Sequence, residues 1–545
     1  MATPTNDAGA TLNRQMGPVA MLFTGLSIIG SGWLFAALYT AQLAGPAGVI
    51  SWLIGGAVTI AIALVYAELS GMLPVAGALA RIPYLSFGPV GGFMAGWLCW
   101  IAFVATAPLE AIAVLDYASN YLPWLTINEH GERILTLPGV AVAIAMLAVF
   151  TGINLLGVKY FARANTTITF WKLTVPLAAA VLLIVFGFRW ENVYEHGGFA
   201  PYGITGIFSA VSSGGIMFAY YGFRSVVDMA GEAKNPQRDV PMAIIGTVVF
   251  CIVLYVLLQI AFIGAIPPSH LEKGWAAITE TAPGGPFAAF AAILGLQWLA
   301  ILLYADAIVS PGGTGFSFVA STARLNYAMA KAGQVPSVFA RLNRFRVPAW
   351  SLVFNFLVGI VVVLPLPGWN QLVEFISTAA VLSFAFGPIA LLVMRLQQPD
   401  RPRPFRVPAA TAFSATAFVL AGFIVYWTGW ETNWKILLIA LAGLGIMTVL
   451  RFTDHGHGAP LQLKATAWLW PYYAGLALMS YLGNYDGGLG VVPDGLDMAI
   501  LTVFSLAIFW LAVRLRLSPD VIGDMIATER DEIEPSGRVR PDDPT

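Results

Sequence analysis

Four ionisable side chains stand inside long apolar runs. Glu110 follows Pro108, Lys172 sits in Phe170-Trp171-Lys172-Leu173-Thr174, and Asp306 precedes Ser310-Pro311-Gly312-Gly313-Thr314-Gly315. Arg224 closes the stretch Ser212-Ser213-Gly214-Gly215-Ile216-Met217-Phe218-Ala219-Tyr220-Tyr221-Gly222-Phe223. Charge in the middle of an apolar run is costly, which makes each of the four a candidate for proton or ligand chemistry. Glu110 and Asp306 are candidate proton carriers, because protonation removes the cost of burying a carboxylate. The alternative for both is a fixed, hydrogen-bonded structural carboxyl. Lys172 can exchange a proton if buried, or can snorkel to a membrane surface. Arginine holds carboxylates in a two-pronged fork, so Arg224 is a candidate for binding an anionic side chain. Its alternative is a pairing with Asp228, four residues on along the same helix.

The elements that position these groups follow from composition. The 545-residue chain is 58% hydrophobic and 10% charged, with mean hydropathy +0.76. Soluble domains carry about 25% charged residues, so the pattern is that of an all-α polytopic membrane protein. The net charge of -1 argues against a nucleic-acid partner. Cys99 and Cys251 have no metal-ligand spacing. No histidine falls inside an apolar run: His130, His196 and His270 lie on one side, His455 and His457 on the other. No cofactor and no metal are therefore expected. The start, Met1 to Gln15, lacks the pattern of a cleaved signal peptide.

A span needs about 20 apolar residues. About 14 stretches qualify, near 17–44, 48–72, 89–122, 137–156, 165–187, 203–230, 242–266, 287–330, 349–366, 370–395, 408–429, 433–450, 465–483 and 497–515. Basic residues alternate between the loops. One side holds Arg14, Arg81, Lys159, Arg163, Lys234, Arg238 and the group Arg341, Arg344, Arg346, Arg401, Arg403 and Arg406, among others. The opposite side holds Arg133, Arg189, Lys273 and Lys435. By the positive-inside rule both termini are cytoplasmic. The acid-rich, proline-punctuated segment 516–545 is expected to be a disordered cytoplasmic tail.

Two spans are interrupted. The first carries Ile29-Gly30-Ser31-Gly32 and the sixth carries Gly214-Gly215 and Gly222. Glycine and serine make poor helix at membrane depth, where unwound backbone survives only if it is buried or lines a cavity. The alternative for either break is close helix packing through small residues. Five spans separate the two, an odd offset that reverses their orientation. That is the pattern of a five-plus-five inverted-repeat transporter core with broken helices 1 and 6 facing each other across a binding site. The candidate ligand-binding residues are Ile29, Gly30, Ser31, Gly32, Phe218, Ala219, Tyr220, Gly222 and Arg224, with the half-helix beginning near Phe223 aimed at the cavity. The Pro/Gly cluster after Asp306 suggests a distortion of span eight as well. Ser310 and Thr314 would share a helix face there, within reach of the Lys172 ammonium.

Four motifs then carry a resemblance to the amino acid–polyamine–organocation superfamily of permeases. They are Gly30-Ser31-Gly32; Tyr66-Ala67-Glu68-Leu69-Ser70 with Leu73-Pro74-Val75-Ala76-Gly77; Phe218 to Phe223 leading into Gly231-Glu232-Ala233-Lys234-Asn235-Pro236-Gln237-Arg238-Asp239-Val240-Pro241; and Ser321 to Ala330 with Gly333 and Pro336. The similarity covers spans one to ten, and the span count resembles the bacterial aspartate/glutamate-type branch. It implies the inverted five-helix repeat. It also implies that Lys172 takes the place of a bound sodium ion, linking the first unwound segment to span eight. The domains expected are a cytoplasmic N-terminus (1–16), a core (17–395, with spans one to five at 17–187 and six to ten at 203–395), four accessory spans (408–515) and the tail.

The expected function is secondary active transport of an amino acid across the cytoplasmic membrane, coupled to protons through Lys172, Glu110, Asp306, Ser310 and Thr314, with aspartate or glutamate as the leading substrate. The alternatives are a neutral amino-acid or amine permease or exchanger, and, from other classes, a channel or a membrane-embedded enzyme. The substrate, the proton and the lipid bilayer are the expected partners. The substrate α-amino group would meet free carbonyls at the breaks, and its α-carboxylate the free amides of Ser31 and Gly32. The basic loops Lys234–Arg238 and Arg341–Arg346 are the positive-inside signal, or alternatively a source of ion pairs to Glu68 or Asp239. Glu374 and Asp116 are expected to be exposed near the span ends.

Overall fold

The computed structural model describes residues 16–528 except 76, 130–131, 158–160, 282–284, 366–367 and 453–459. The N-terminus to Gln15, Ala76, His130, Lys159, His455, His457, residues 529–545 and the Arg163 side chain lie outside what is described.

The described residues are mostly helical. Span one is divided into α1 (Pro18–Leu26) and α2 (Gly32–Ala44), followed by α3 (Gly48–Met72) and α4 (Ala78–Ala118). A hairpin, β1 (Thr126–Glu129) with β2 (Glu132–Leu135), pairs antiparallel from Thr126↔Leu135 to Glu129↔Glu132. Next come α5 (Leu137–Leu155), α6 (Phe161–Gly187) and the short α7 (Glu191–Tyr194). Span six is α8 (Gly203–Ser213), α9 (Ile216–Ala219) and α10 (Phe223–Asp228). Then follow α11 (Pro236–Ala265), α12 (Ile278–Thr281), α13 (Pro286–Ile293), α14 (Gln297–Lys331) and α15 (Ala349–Val363). The remainder is α16 (Trp369–Phe384), α17 (Phe386–Gln397), α18 (Ala410–Thr428), α19 (Trp430–Phe452), α20 (Leu463–Thr466), α21 (Leu469–Leu482), α22 (Leu496–Arg514) and α23 (Pro519–Thr528).

Among the described residues ten helices are long and apolar enough to cross a membrane, and the bent pair Gly203–Ser213 with Ile216–Asp228 makes an eleventh. The run Gly32–Met72 enters this count once although it holds both α2 and α3, while α15 and α21 are too short to enter it. The protein is thus an all-α, multi-pass membrane protein. Its helices are apolar on every side because one side faces lipid and the other the bundle.

Glycine sets the geometry where it matters. Gly88 (φ +81°) kinks the 41-residue α4, and Gly215 (φ +85°) sits at the 43° bend of span six. Spans one and six cross where no side chain intervenes: a Cβ built on Gly222 would stand 2.5 Å from the Gly25 carbonyl oxygen.

Span eight departs from expectation. The helix α14 runs unbroken through Pro311, Gly312 and Gly313, and none of these glycines has positive φ. An internal proline removes a single backbone hydrogen bond, which a packed 35-residue helix tolerates here. The tail departs too. Its first part forms α23, with Ile522 and Ile526 buried.

The two ends of the bundle are closed differently. At one end Arg133 pairs with Asp116 at 3.6 Å, Gln371 Nε2 donates to Glu132 Oε2 at 2.8 Å, and Ile134 bridges Gly368 beside Trp369. Asp116, expected to be exposed, is buried by that pairing. Glu374 is half-buried, accepting from Asn370 at 3.0 Å and Thr432 at 3.3 Å. At the other end Met16 N donates to Glu232 O (3.0 Å) and Lys234 N to Met16 O (2.8 Å), stitching the chain before span one to the loop after span six. There the buried Glu68 meets Arg395 at 2.6 Å, Arg403 at 3.6 Å and the Val407 amide at 2.7 Å. Its partners therefore come from the last turn of α17 and the link from α17 to α18, not from the loops 234–238 or 341–346. The Asp239 carboxylate caps its own helix start through the Asn235 amide (3.2 Å).

Candidate functional site

Between α1 and α2 the residues Ser27 to Ser31 leave the helical ladder. Each residue outside the ladder exposes backbone groups that need partners. Three other helices supply them. Lys172 Nζ on α6 donates to the Ser27 carbonyl at 2.9 Å and to Thr314 Oγ1 at 2.7 Å. The Thr314 hydroxyl on α14 donates to the Ile29 carbonyl at 3.2 Å. The Ser31 amide donates to Glu110 Oε2 on α4 at 2.8 Å, and Trp369 Nε1 on α16 donates to Ser31 Oγ at 2.9 Å. A Cβ on Gly30 would lie 2.5 Å from Glu110 Oε1 and 2.9 Å from Thr314 Cβ, so glycine is required there.

Lys172 is 1% exposed, which rules out the snorkelling alternative in this conformation. It reaches the first break and span eight together. Asp306, Ser310 and Thr314 follow at i, i+4 and i+8 on one face of α14. They divide the work: Thr314 meets the ammonium, whereas Ser310 Oγ donates to Asp306 Oδ1 at 2.7 Å. Asp306 is fully buried and its Oδ2 has no hydrogen-bond partner among the described residues. The indoles of Trp33 and Trp171 lie beside it.

Span six turns at Gly214-Gly215, the first of its expected interruptions, while Ile216 to Gly222, including the second at Gly222, remain coiled. The glycine pair allows the positive φ, whereas Phe218, Tyr220 and Tyr221 are buried aromatics whose packing keeps the coil closed. Tyr220 OH donates to the Trp52 carbonyl (3.0 Å) and Tyr221 OH to the Ser377 carbonyl (2.7 Å). Both phenols are thus anchors. The Ala219 carbonyl accepts from Tyr255 OH at 3.0 Å. The two breaks nevertheless meet, since a Cβ on Gly32 would lie 3.2 Å from Ala219 Cα and 3.5 Å from the Phe218 ring.

Two expectations about free backbone groups change. The Ser31 amide and the Ala219 carbonyl both have protein partners, Glu110 and Tyr255. The Gly32 amide, next along the start of α2, has no acceptor among the described residues.

Arg224 does not form the pair with Asp228. Its guanidinium lies over the rings of Phe103 (4.0 Å), Phe318 (4.7 Å) and Tyr221 (4.9 Å). The residue is 1% exposed, and none of its three side-chain nitrogens has a hydrogen-bond partner among the described residues. Cation–π contact replaces hydrogen bonding, at about 0.5–2 kcal/mol.

Trp369 is the residue that sequence reasoning missed. It stacks on Phe35 (5.1 Å) and Tyr39 (5.4 Å), stands edge-on to Phe218 (6.5 Å), and would be 2.8 Å from a Cβ on Gly215. One indole therefore touches both breaks. A tryptophan at the edge of an apolar run reads as an interfacial anchor, and only its place beside the glycine pair in space sets it apart.

Residues 19–449 match the amino acid permease family. The glutamate/serine transporter AimA of Bacillus subtilis is 38% identical over 520 residues, covering 94% of this chain and 96% of the relative. The aspartate-proton symporter of the same organism is 38% identical over 489 residues, covering 89% and 93%. Its branched-chain amino acid permease BcaP is 26% identical over 454 residues, covering 80% and 92%. With its first break held by Lys172, Glu110 and Thr314 and its sixth span bent at Gly214-Gly215, the chain belongs to the amino acid permease family, whose members are membrane transporters and not enzymes.

Proposed function

We propose that this protein carries acidic amino acids into the cell together with protons, binding them between the breaks of spans one and six. The observation that carries this reading is the Lys172 bridge, an ionisable group that ties the unwound segment to span eight through Ser27 and Thr314. A group in that position couples its own protonation to the shape of the break. The names of two relatives, a glutamate/serine transporter and an aspartate-proton symporter, support both the acidic substrate and the proton. Ile29, Gly30, Ser31 and Gly32 face Phe218, Ala219, Tyr220 and Gly222 as the two halves of the substrate site. Arg224 sits beyond Gly222 as the cation that a side-chain carboxylate would reach once its aromatic cover moves. Lys172, Glu110, Asp306, Ser310 and Thr314 form the proton-coupling set. The scaffold is a five-plus-five inverted repeat of ten spans followed by four accessory spans, 14 in total. It lies in the cytoplasmic membrane with both termini inside, as the loop charges require.

The test is uptake by the purified full-length chain in liposomes. An inward proton gradient is expected to drive accumulation of labelled aspartate or glutamate, abolished by a protonophore. Uptake of leucine or alanine but of neither acidic amino acid would overturn the substrate assignment. One-for-one exchange indifferent to the gradient would overturn symport.

A further inference from the structure

We propose that Glu110 is a resident carboxylate seated on the amide that the substrate's own carboxylate needs, and that protonating Glu110 releases that amide. The inference rests on the substrate site proposed above and adds how the proton is linked to it.

The start of α2 is a thirteen-residue helix beginning at Gly32, with Ser31 ahead of it accepting from the Leu34 and Phe35 amides at 3.0 and 3.2 Å. Such a start carries unsatisfied amides and the positive end of the helix dipole, and so favours an anion. In this structure the anion position is already taken by a side chain: Glu110 Oε2 accepts from the Ser31 amide at 2.8 Å, in a fully buried setting. The other carboxyl oxygen, Oε1, has no hydrogen-bond partner among the described residues. A Cβ on Gly30 would strike it, so the carboxyl group is held directly against the unwound backbone.

A ligand carboxylate arriving at the same helix start would compete for the same donor. Two carboxylates sharing one site cannot both stay charged. A charged acceptor holds an amide about twice as strongly as a neutral one. Once a proton adds to Glu110, the Ser31 N–H···Oε2 bond weakens, and that N–H is free to donate to the substrate's ionised carboxylate. The other titratable groups facing Glu110 are Lys172 on α6 and Tyr255 on α11, and Asp306 on α14 faces Lys172 in turn. Lys172 is engaged by Ser27 and Thr314, Asp306 by Ser310, and Tyr255 by Ala219. Glu110 is the member of this group whose bond is made to an amide that a substrate would use.

The experiment measures proton uptake on binding. The full-length protein in detergent is titrated calorimetrically with glutamate or aspartate in buffers of different ionisation enthalpy. The wild type is expected to take up a single proton per substrate bound, and its affinity to fall by up to about tenfold per pH unit on the alkaline side. Glu110→Gln is expected to bind substrate with no proton uptake and a flat pH profile, and to lose gradient-driven accumulation. Ser31→Ala, which keeps the amide, is expected to retain the proton linkage. Substrate binding by the wild type without proton uptake would overturn this inference alone, a result that needs no variant to fold. Undiminished proton uptake in Glu110→Gln would also overturn it. Failure of the wild type to bind any amino acid would overturn the substrate reading and this inference with it.

Discussion

The breaks in spans one and six are held in opposite ways. The first is fully unwound from Ser27 to Ser31 and fastened from outside by Lys172, Thr314, Glu110 and Trp369. Two of those four can gain or lose a proton. The second turns sharply at Gly214-Gly215 but stays coiled, anchored by the phenols of Tyr220, Tyr221 and Tyr255. None of those anchors is charged at neutral pH. The difference assigns labour within the proposed site. The first break is where protonation can change backbone geometry, and the second supplies shape and aromatic surface.

The sharpest way to break that comparison is Lys172→Ala. Losing one charged member of a buried set costs about 3–5 kcal/mol. Gradient-driven uptake in proteoliposomes is expected to be abolished, with monodispersity on gel filtration reporting whether the fold survives. Unchanged coupling would mean that the first break is not the proton-sensitive one. Gly222→Ala comes next. Its new methyl group would meet the Gly25 carbonyl where the spans cross. A cost of about 1–3 kcal/mol is expected for such overpacking, read as a lowered melting temperature together with reduced uptake.

A smaller effect falls on selectivity. Arg224→Met keeps apolar bulk among Phe103, Phe318 and Tyr221 but removes the cation. Aspartate uptake is expected to drop about tenfold, equivalent to about 1.4 kcal/mol, with the melting temperature kept. A matching fall in melting temperature would assign Arg224 to packing. Trp369→Phe preserves the stacking on Phe35 and Tyr39 and deletes the bond to Ser31 Oγ. About 1 kcal/mol is at stake, expected as a change of a few-fold in apparent KM.

The smallest effect lies at the hairpin. Burial raises the affinity of the Glu132 carboxyl for its proton, and the Gln371 hydrogen bond partly offsets this. A carboxyl whose pKa is raised in the folded state stabilises that state below its ordinary range, about 4.3, and the contribution is lost as pH rises through the raised value. Protection of the hairpin amides from hydrogen exchange is expected to weaken over that interval, and Glu132→Gln to flatten the dependence.

Much of this was legible in the sequence, for physical reasons. Apolar run length announced the helices, and the misplaced Gly30-Ser31-Gly32 and Gly214-Gly215 announced the breaks. Charge inside apolar runs picked out Glu110, Lys172, Arg224 and Asp306, all four of them buried. What was not legible depends on which groups meet in space. Pro311-Gly312-Gly313 reads as a break, but packing carries α14 straight through it. Arg224 and Asp228 have the spacing of a helix-surface pair, but aromatic rings from α4 and α14 reach the guanidinium first. The expectation that the Ser31 amide is free fails because Glu110, 79 residues away in sequence, fills it. Trp369 carries no local signal at all.

The central claim is that the first break is the proton-sensitive half of an acidic amino-acid site. Its most direct test is labelled glutamate uptake into proteoliposomes under an imposed inward proton gradient, wild type against Lys172→Ala. The account expects accumulation beyond equilibrium in the wild type, collapsed by a protonophore, and none in the variant. Accumulation of equal extent in both proteins would contradict it.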